Sequence, residues 1–171
     1  MEDFALSIEN LTISFNYHGT YFKAVDNANI ILQPGKSLGI VGESGSGKSL
    51  TAKAILNLLP TNANLQSGKI LIRDKQEEII NVLSSSARVL ENLRGNTIAM
   101  VFQEPMTSLN PVFRCGNQVT ENIREHMKVD AKTAKARAID LFQEVKLPTP
   151  ERMMIANEDI ETAMIVGGYR N

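Results

Sequence analysis

Residues 42–49 read GESGSGKS, and no other stretch of the 171-residue chain constrains its fold as tightly. The run satisfies G-x-x-x-x-G-K-[ST], a loop that cradles phosphate between a strand and a helix. The residue types follow from that task. Gly42, Gly45 and Gly47 let the backbone adopt positive φ and approach a phosphate with no Cβ in the way. Successive N–H groups, those of Glu43, Ser44 and Ser46 included, then turn inward as an anion nest. Lys48 reaches the β and γ phosphate oxygens, and the Ser49 hydroxyl is placed to ligate Mg²⁺. A helix starting here points its dipole and free N–H groups at the same charge.

The flanks supply the required order. Residues 37–41 (SLGIV) form a short apolar run that predicts a strand entering the loop. Ala52, Ile55, Leu56 and Leu59 follow at i, i+3, i+4, i+7, which predicts a helix with one apolar face, stopped at Pro60. The plain alternative, a Gly/Ser-rich turn carrying a surface lysine, does not account for a strand and a helix in those places.

Bulk properties narrow the class. Hydrophobic residues make up 43% and charged residues 22%, which suits one globular domain or most of one. The net charge of −1 argues against a broad basic face for nucleic acid. Cys115 is the only cysteine, so an internal disulfide and a multi-cysteine metal cluster are excluded; it reads as a small, part-buried residue. The N-terminal Met-Glu-Asp has no apolar signal core, and no apolar run approaches bilayer length. The simplest expected location is the cytoplasm.

Elsewhere the patterns are coarser. Leu11, Ile13 and Phe15 alternate with polar residues, as do Ala28, Ile30 and Leu32, and His18-Gly19-Thr20 between them reads as a turn. Pro34-Gly35 is a second turn. Ser67-Gly68 opens a strand over residues 69–73. Residues 81–93 read as a polar linker passing into a short helix that ends at Gly95. Residues 97–102 (TIAMVF) have the composition of a strand buried on both faces. A helix is expected over 117–127. Another follows Asp130 as N-cap, with Ala131, Ala134, Ala138, Leu141, Phe142 and Val145 as its apolar stripe, before Pro148 and Pro150. His126 has no second ligand at i+3 or i+4 and reads as structural or solvent-facing.

After TIAMVF the chain continues QEPMTSLNPV. Together with AVDNANIILQPGKSLGIVGESGSGKS and LRGNTIAMVFQEPMTSLNP, this resembles the ATP-binding cassette (ABC) transporter ATPases, in the oligopeptide/dipeptide/nickel import branch, over about residues 4–150. The resemblance implies an α/β P-loop NTPase fold: an incomplete core sheet, an N-terminal antiparallel β part and the start of a helical subdomain. It divides the chain into residues 1–150, the N-terminal part of an ABC ATP-binding domain, and an unmatched tail, 151–171. It implies ATP and Mg²⁺ as cofactors. Gln103 would contact Mg²⁺ and the attacking water and sense the permease; its plain alternative is a polar residue capping a strand. An aromatic ahead of the loop would stack on adenine, and Phe15 and Tyr17 both remain candidates, each equally well read as a core aromatic. The intact relative would pair with a second ATP-binding subunit under the permease subunits of an inner-membrane importer, on the cytoplasmic face.

Three of the family's motifs have no counterpart: the signature, the apolar strand ending in Asp-Glu, and the switch histidine beyond that strand. No LSGGQ-like run is present, and Gly167-Gly168 in IVGGY lacks the flanking Ser and Gln. No apolar strand ends in Asp-Glu, so no catalytic residue is assigned. Residues 152–171 do not resemble the family at that point; an unrelated tail and a short native helix over 159–166 are both open. In relatives, the neighbours of the strands at 37–41 and 97–102 come from chain beyond this resemblance. Three functions compete: the ATPase subunit of a peptide importer, a nucleotide-binding fragment without turnover, and a P-loop kinase or GTPase of another family. FQEPMTSLNP and the lack of an Asn-Lys-x-Asp run count against the third.

Overall fold

The computed structural model describes residues 3–102, 109–110 and 112–154. Gln103, the segment 159–166 and Gly167-Gly168 lie outside them. The chain divides into two compact units, Met1–Ala99 and Met100–Asn171.

The first unit is built on a four-stranded antiparallel sheet in the order β2-β1-β3-β4. Strand β1 spans Leu6–Tyr17, β2 Thr20–Leu32, β3 Ala63–Arg73 and β4 Ile79–Asn81. The β1–β2 hairpin turns at His18 and Gly19, as the sequence predicts. Phe15 faces Phe22 across it, and Tyr17 faces Thr20. Ile8, Leu11 and Ile13 of β1 are all buried. Strict alternation would put Ile8 and Leu11 on opposite faces. An extra residue in β1 restores the phase: Ile8 pairs with Ile30, and Leu11 with Ala28. Asn10 takes the bulge at φ 49°, and its N–H donates to Asn29 Oδ1 at 2.9 Å. Opposite it, Gly68 of β3 has φ 118°, and a Cβ there would sit 2.6 Å from Leu11 Cα. Strand β3 thus starts earlier than the turn-like Ser67-Gly68 suggests, because this glycine marks a bulge rather than an end.

One apolar cluster holds this unit together. Ile8, Leu11, Ile13, Val25, Ile70 and Ile72 come from the sheet. Ala54 comes from helix α1 (Lys48–Ile55), and Leu90 and Leu93 from helix α2 (Ala87–Leu93). Each fully buried Leu or Ile contributes about 1.5–3 kcal/mol, so this cluster orders the unit more than any single ladder hydrogen bond does.

Three expectations are corrected. Residues 37–41 are not a strand: Leu38, Ile40 and Val41 are exposed, Val41 at 93%. Residues 97–102 are not a strand either. They hold a single bridge, Arg94 to Ile98, and Val101 and Phe102 are exposed. The reason is common to both. A strand exists through a partner that takes its N–H and C=O groups, and no parallel strand partner is present among the described residues. The third correction concerns α1, which stops at Ile55 rather than at Pro60. Asn57 adopts φ 52°, Leu58 N–H donates to Lys53 O (2.9 Å), and Asn57 N–H donates to Ala54 O (2.9 Å). This left-handed Schellman closure ends the helix before the proline acts.

The second unit is helical among its described residues. Helix α3 spans Cys115–Met127 and α4 Ala131–Glu144. Asp130 caps α4, its Oδ1 accepting from the N–H groups of Lys132 (2.8 Å) and Thr133 (3.0 Å). Of the expected stripe, Ala134, Ala138 and Phe142 are buried against Ile123, Met153 and Met154. The two methionines belong to a 3-10 turn, Arg152–Met154. It approaches α3 so closely that a Cβ on Gly116 would lie 2.4 Å from Met154 Sδ. Val145 is exposed, because Lys146 (φ 58°) turns the chain away after Glu144.

Candidate functional site: a phosphate-type loop and its helix

The loop at residues 42–47 lies between the exposed apolar run and α1. Two of its glycines hold conformations that other residues rarely adopt: Gly45 has φ 83° and Gly47 has φ 87°. Gly47 is the N-cap of α1 and is also wedged against β2. A Cβ there would fall 2.5 Å from Ala24 O and 3.0 Å from Val25 Cγ2. A Cβ on Gly42 would fall 2.8 Å from Ser46 Oγ. A Cβ is thus excluded by backbone at Gly47, while Gly45 borders open space, and a loop of this composition leaves its backbone N–H groups approachable, as a phosphate cradle requires.

No side chain caps the N-terminus of α1. The first bond back into the helix is Thr51 N–H to Gly47 O at 2.8 Å, and the Thr51 hydroxyl donates to the same carbonyl at 3.0 Å. The N–H groups of the first turn thus stay available to an anion, and the helix dipole favours one. Lys48 folds back over the loop. Its Nζ donates to Gly42 O at 2.7 Å, Glu43 O at 2.6 Å and Ser46 Oγ at 3.2 Å. The ammonium is pinned by neutral acceptors, so a phosphate oxygen, as a charged acceptor, forms the stronger bond there. Ser49, one residue on, is exposed in the same first turn. Glu43, Ser44, Gly45 and Ser46 are exposed as well, so the loop is open to solvent.

The two aromatic candidates differ in setting. Phe15 is half-buried in β1 beside Phe22. Tyr17 is 66% exposed, with its ring edge-on to His18 at 4.5 Å. Strand β2 reaches the loop at Ala24 and Val25, so the hairpin that carries both aromatics is tied to the site. Gln103 lies outside the described residues.

The remaining titratable groups add little chemistry. Burial pushes the Cys115 thiol up, away from a reactive thiolate. No group of three or more metal-ligating side chains occurs among the described residues.

Sequence reasoning missed one residue of this region, Arg94. Its Nε and Nη2 donate to Leu56 O at 2.9 and 2.7 Å, and Nη2 also donates to Asn57 O at 3.2 Å. It thereby closes the C-terminal end of the helix whose N-terminus forms the loop. The partners are 38 residues apart, and no periodicity or spacing signals such a contact.

Comparison with known proteins gives a consistent picture. The family model "ABC transporter" matches residues 25–168. The glutathione import ATP-binding protein GsiA of Salmonella choleraesuis (strain SC-B67) is 41% identical over 150 residues, covering 87% of this chain and 24% of that protein. The oligopeptide transport ATP-binding protein OppD of Bacillus subtilis (strain 168) is 40% identical over 148 residues, covering 86% of this chain and 40% of that protein. The chain thus spans well under half the length of these relatives. Among solved structures, the dimeric structure of a bacterial ABC transporter cassette superposes with a TM-score of 0.69 at 22% identity, covering 84% of this chain and 58% of that one. A post-hydrolysis dimer bound to ADP and Pi gives a TM-score of 0.67 at 21% identity. These two establish likeness of fold.

Proposed function

Because this chain belongs to the ABC transporter family, we propose that it is an ATP-binding subunit of an importer for peptides or similar small solutes, or part of one. The observation that carries this reading is the glycine cradle with Lys48 folded across it, at the uncapped N-terminus of α1. In this reading residues 1–150 are the N-terminal part of an ABC ATP-binding domain and 151–171 a tail. Residues 42–47 wrap the phosphates of ATP with backbone N–H groups, and Lys48 exchanges its carbonyl partners for phosphate oxygens. Ser49 supplies a hydroxyl to Mg²⁺, and Gln103 acts at the same metal and at the attacking water. Tyr17 is the better platform for adenine, since its ring is exposed at the hairpin end while Phe15 is half-buried.

GsiA and OppD, whose names speak of glutathione import and oligopeptide transport, support the solute class. The dimeric cassette supports pairing with a second ATP-binding subunit. Permease subunits would hold the pair at the cytoplasmic face of the membrane. No helix among the described residues is long and apolar enough to cross a membrane.

The test is nucleotide titration. Lys48→Ala removes a charge-assisted contact and weakens Mg·ATP binding by about 1.5–3 kcal/mol. Equal affinity in both chains overturns the assignment. A second reading, binding without turnover, is favoured for the 171-residue polypeptide by itself, because its sequence holds neither an LSGGQ-like run nor an Asp-Glu strand end. Without a positioned base, roughly 10²–10⁴-fold of rate is missing. Steady-state phosphate release that Lys48→Ala abolishes, at the rate of an intact family member, refutes that reading.

A further inference from the structure

Arg94 stands at the junction of two helices. Its backbone N–H donates to Leu90 O at 3.0 Å and ends α2, while its guanidinium ends α1. The Schellman closure of α1 uses the carbonyls of Lys53 and Ala54. Beyond the closure, the Arg94 fork takes the carbonyls of Leu56 and Asn57. The cation also lies at the negative end of the helix dipole. On its other side Arg94 opens a tight turn. Gly95 N–H donates to Ile98 O at 2.8 Å, Thr97 N–H to Leu93 O at 2.9 Å and Ile98 N–H to Leu93 O at 3.0 Å.

We propose that Arg94 is a positioning residue that ties the far end of the phosphate-loop helix to the turn at residues 93–98, so that nucleotide held at the loop is registered at that turn. The proposal rests on the nucleotide-binding reading above. Helix α1 has eight residues and is about 12 Å long, short enough to move as one body. An anion at its N-terminus orders the first turn of the helix. The same ordering fixes the Leu56 and Asn57 carbonyls at the other end. A charge-assisted fork to those carbonyls is stronger and more directional than a neutral hydrogen bond, so it transmits the restraint to the backbone of residue 94. The amides of Gly95, Thr97 and Ile98 are the first to report it.

The experiment is amide hydrogen exchange on the full chain, with and without saturating Mg·ATP, alongside a direct binding titration. In the unaltered chain, the amides of Gly95, Thr97 and Ile98 exchange about fivefold more slowly when nucleotide is bound, the low end of ordinary site-to-site coupling. Arg94→Met still binds nucleotide but loses this slowing. Arg94→Lys keeps only part of it, because an ammonium on a flexible stem lacks the fixed planar geometry by which Nε and Nη2 together hold Leu56 O. A merely structural arginine would change the exchange of the turn equally in free and bound chain, and so would not alter the nucleotide-dependent difference. Saturation of the unaltered chain with no change at these amides overturns the proposal, and this arm needs no variant. Undiminished slowing in Arg94→Met also overturns it, as does undiminished slowing in Arg94→Lys should the Met variant fail to fold. Failure of the titration itself is a separate readout: it removes the nucleotide-binding reading, and this proposal falls with it.

Discussion

At the scale of single residues, Gly47 carries two demands at once. It holds φ 87° as the N-cap of α1, and it lets Ala24 O approach to within 2.5 Å of where a Cβ would stand. Gly47→Ala meets both penalties. Backbone strain of this kind alone costs about 1–3 kcal/mol, and the clash is with backbone, which cannot swing aside as a side chain can. The substitution should lower stability by more than about 1 kcal/mol in a denaturant titration and abolish Mg·ATP binding. A Gly47→Ala chain of unchanged midpoint would contradict the packing of β2 against the loop. The residues of this loop were legible in the sequence because the chemistry of phosphate contact demands specific types at fixed spacing. Arg94 was not, because its partners are set by where α1 happens to end, and that depends on Asn57 turning left-handed ahead of Pro60.

At the scale of elements, helix α4 offers a pH handle. The Asp130 carboxyl is held below its ordinary range, chiefly by the Thr133 N–H, then by the Thr133 hydroxyl and the Lys132 N–H. Its pKa is thus lower folded than unfolded. The cap contributes fully at pH above the ordinary carboxylate range and is lost as pH falls through the depressed value. Acidification should therefore weaken α4 in a way that Asp130→Asn blunts, read as thermal midpoint against pH. An identical acid profile in both chains would remove the cap from the account. Asp130 was legible because capping is local. The strands at 37–41 and 97–102 were misread because composition reports suitability for a buried strand and cannot supply the neighbour that makes one. Strand β4, with three residues, is too short for alternation to reveal.

For the whole molecule, exposed apolar surface is the main consequence. Leu38, Ile40 and Val41 lie exposed in the first unit, and Val101 and Phe102 in the second. Backbone here is unpaired in any strand ladder, and such segments pair readily with other chains. The 171-residue polypeptide should self-associate in a concentration-dependent manner, seen by sedimentation or light scattering, and should melt broadly. A monodisperse monomer with a sharp cooperative melt would show that these segments are covered. The fold class was legible as a whole because the hairpin, the loop and α4 each carry strong local signals. The sheet order was not, because pairing β1 with β3 is a long-range event.

That pairing has a kinetic side. Strand β1 is one of the two interior strands of its sheet, bonded to β2 through a two-residue turn and to β3 across residues 33–62. The hairpin closes locally, on the order of 1–10 μs. The longer segment must be looped out before β3 can dock, at an entropic cost of about 3 kcal/mol from its length alone. The phosphate loop and α1 ride on that looped segment, and Gly47 is wedged against Ala24 and Val25 of β2. A site carried on so long a loop is expected to form late, after the sheet it rests on. A nucleotide that binds only the finished loop has nothing to hold in the transition state for closure. It acts by lengthening the lifetime of the closed chain, and leaves the rate of closure as it was.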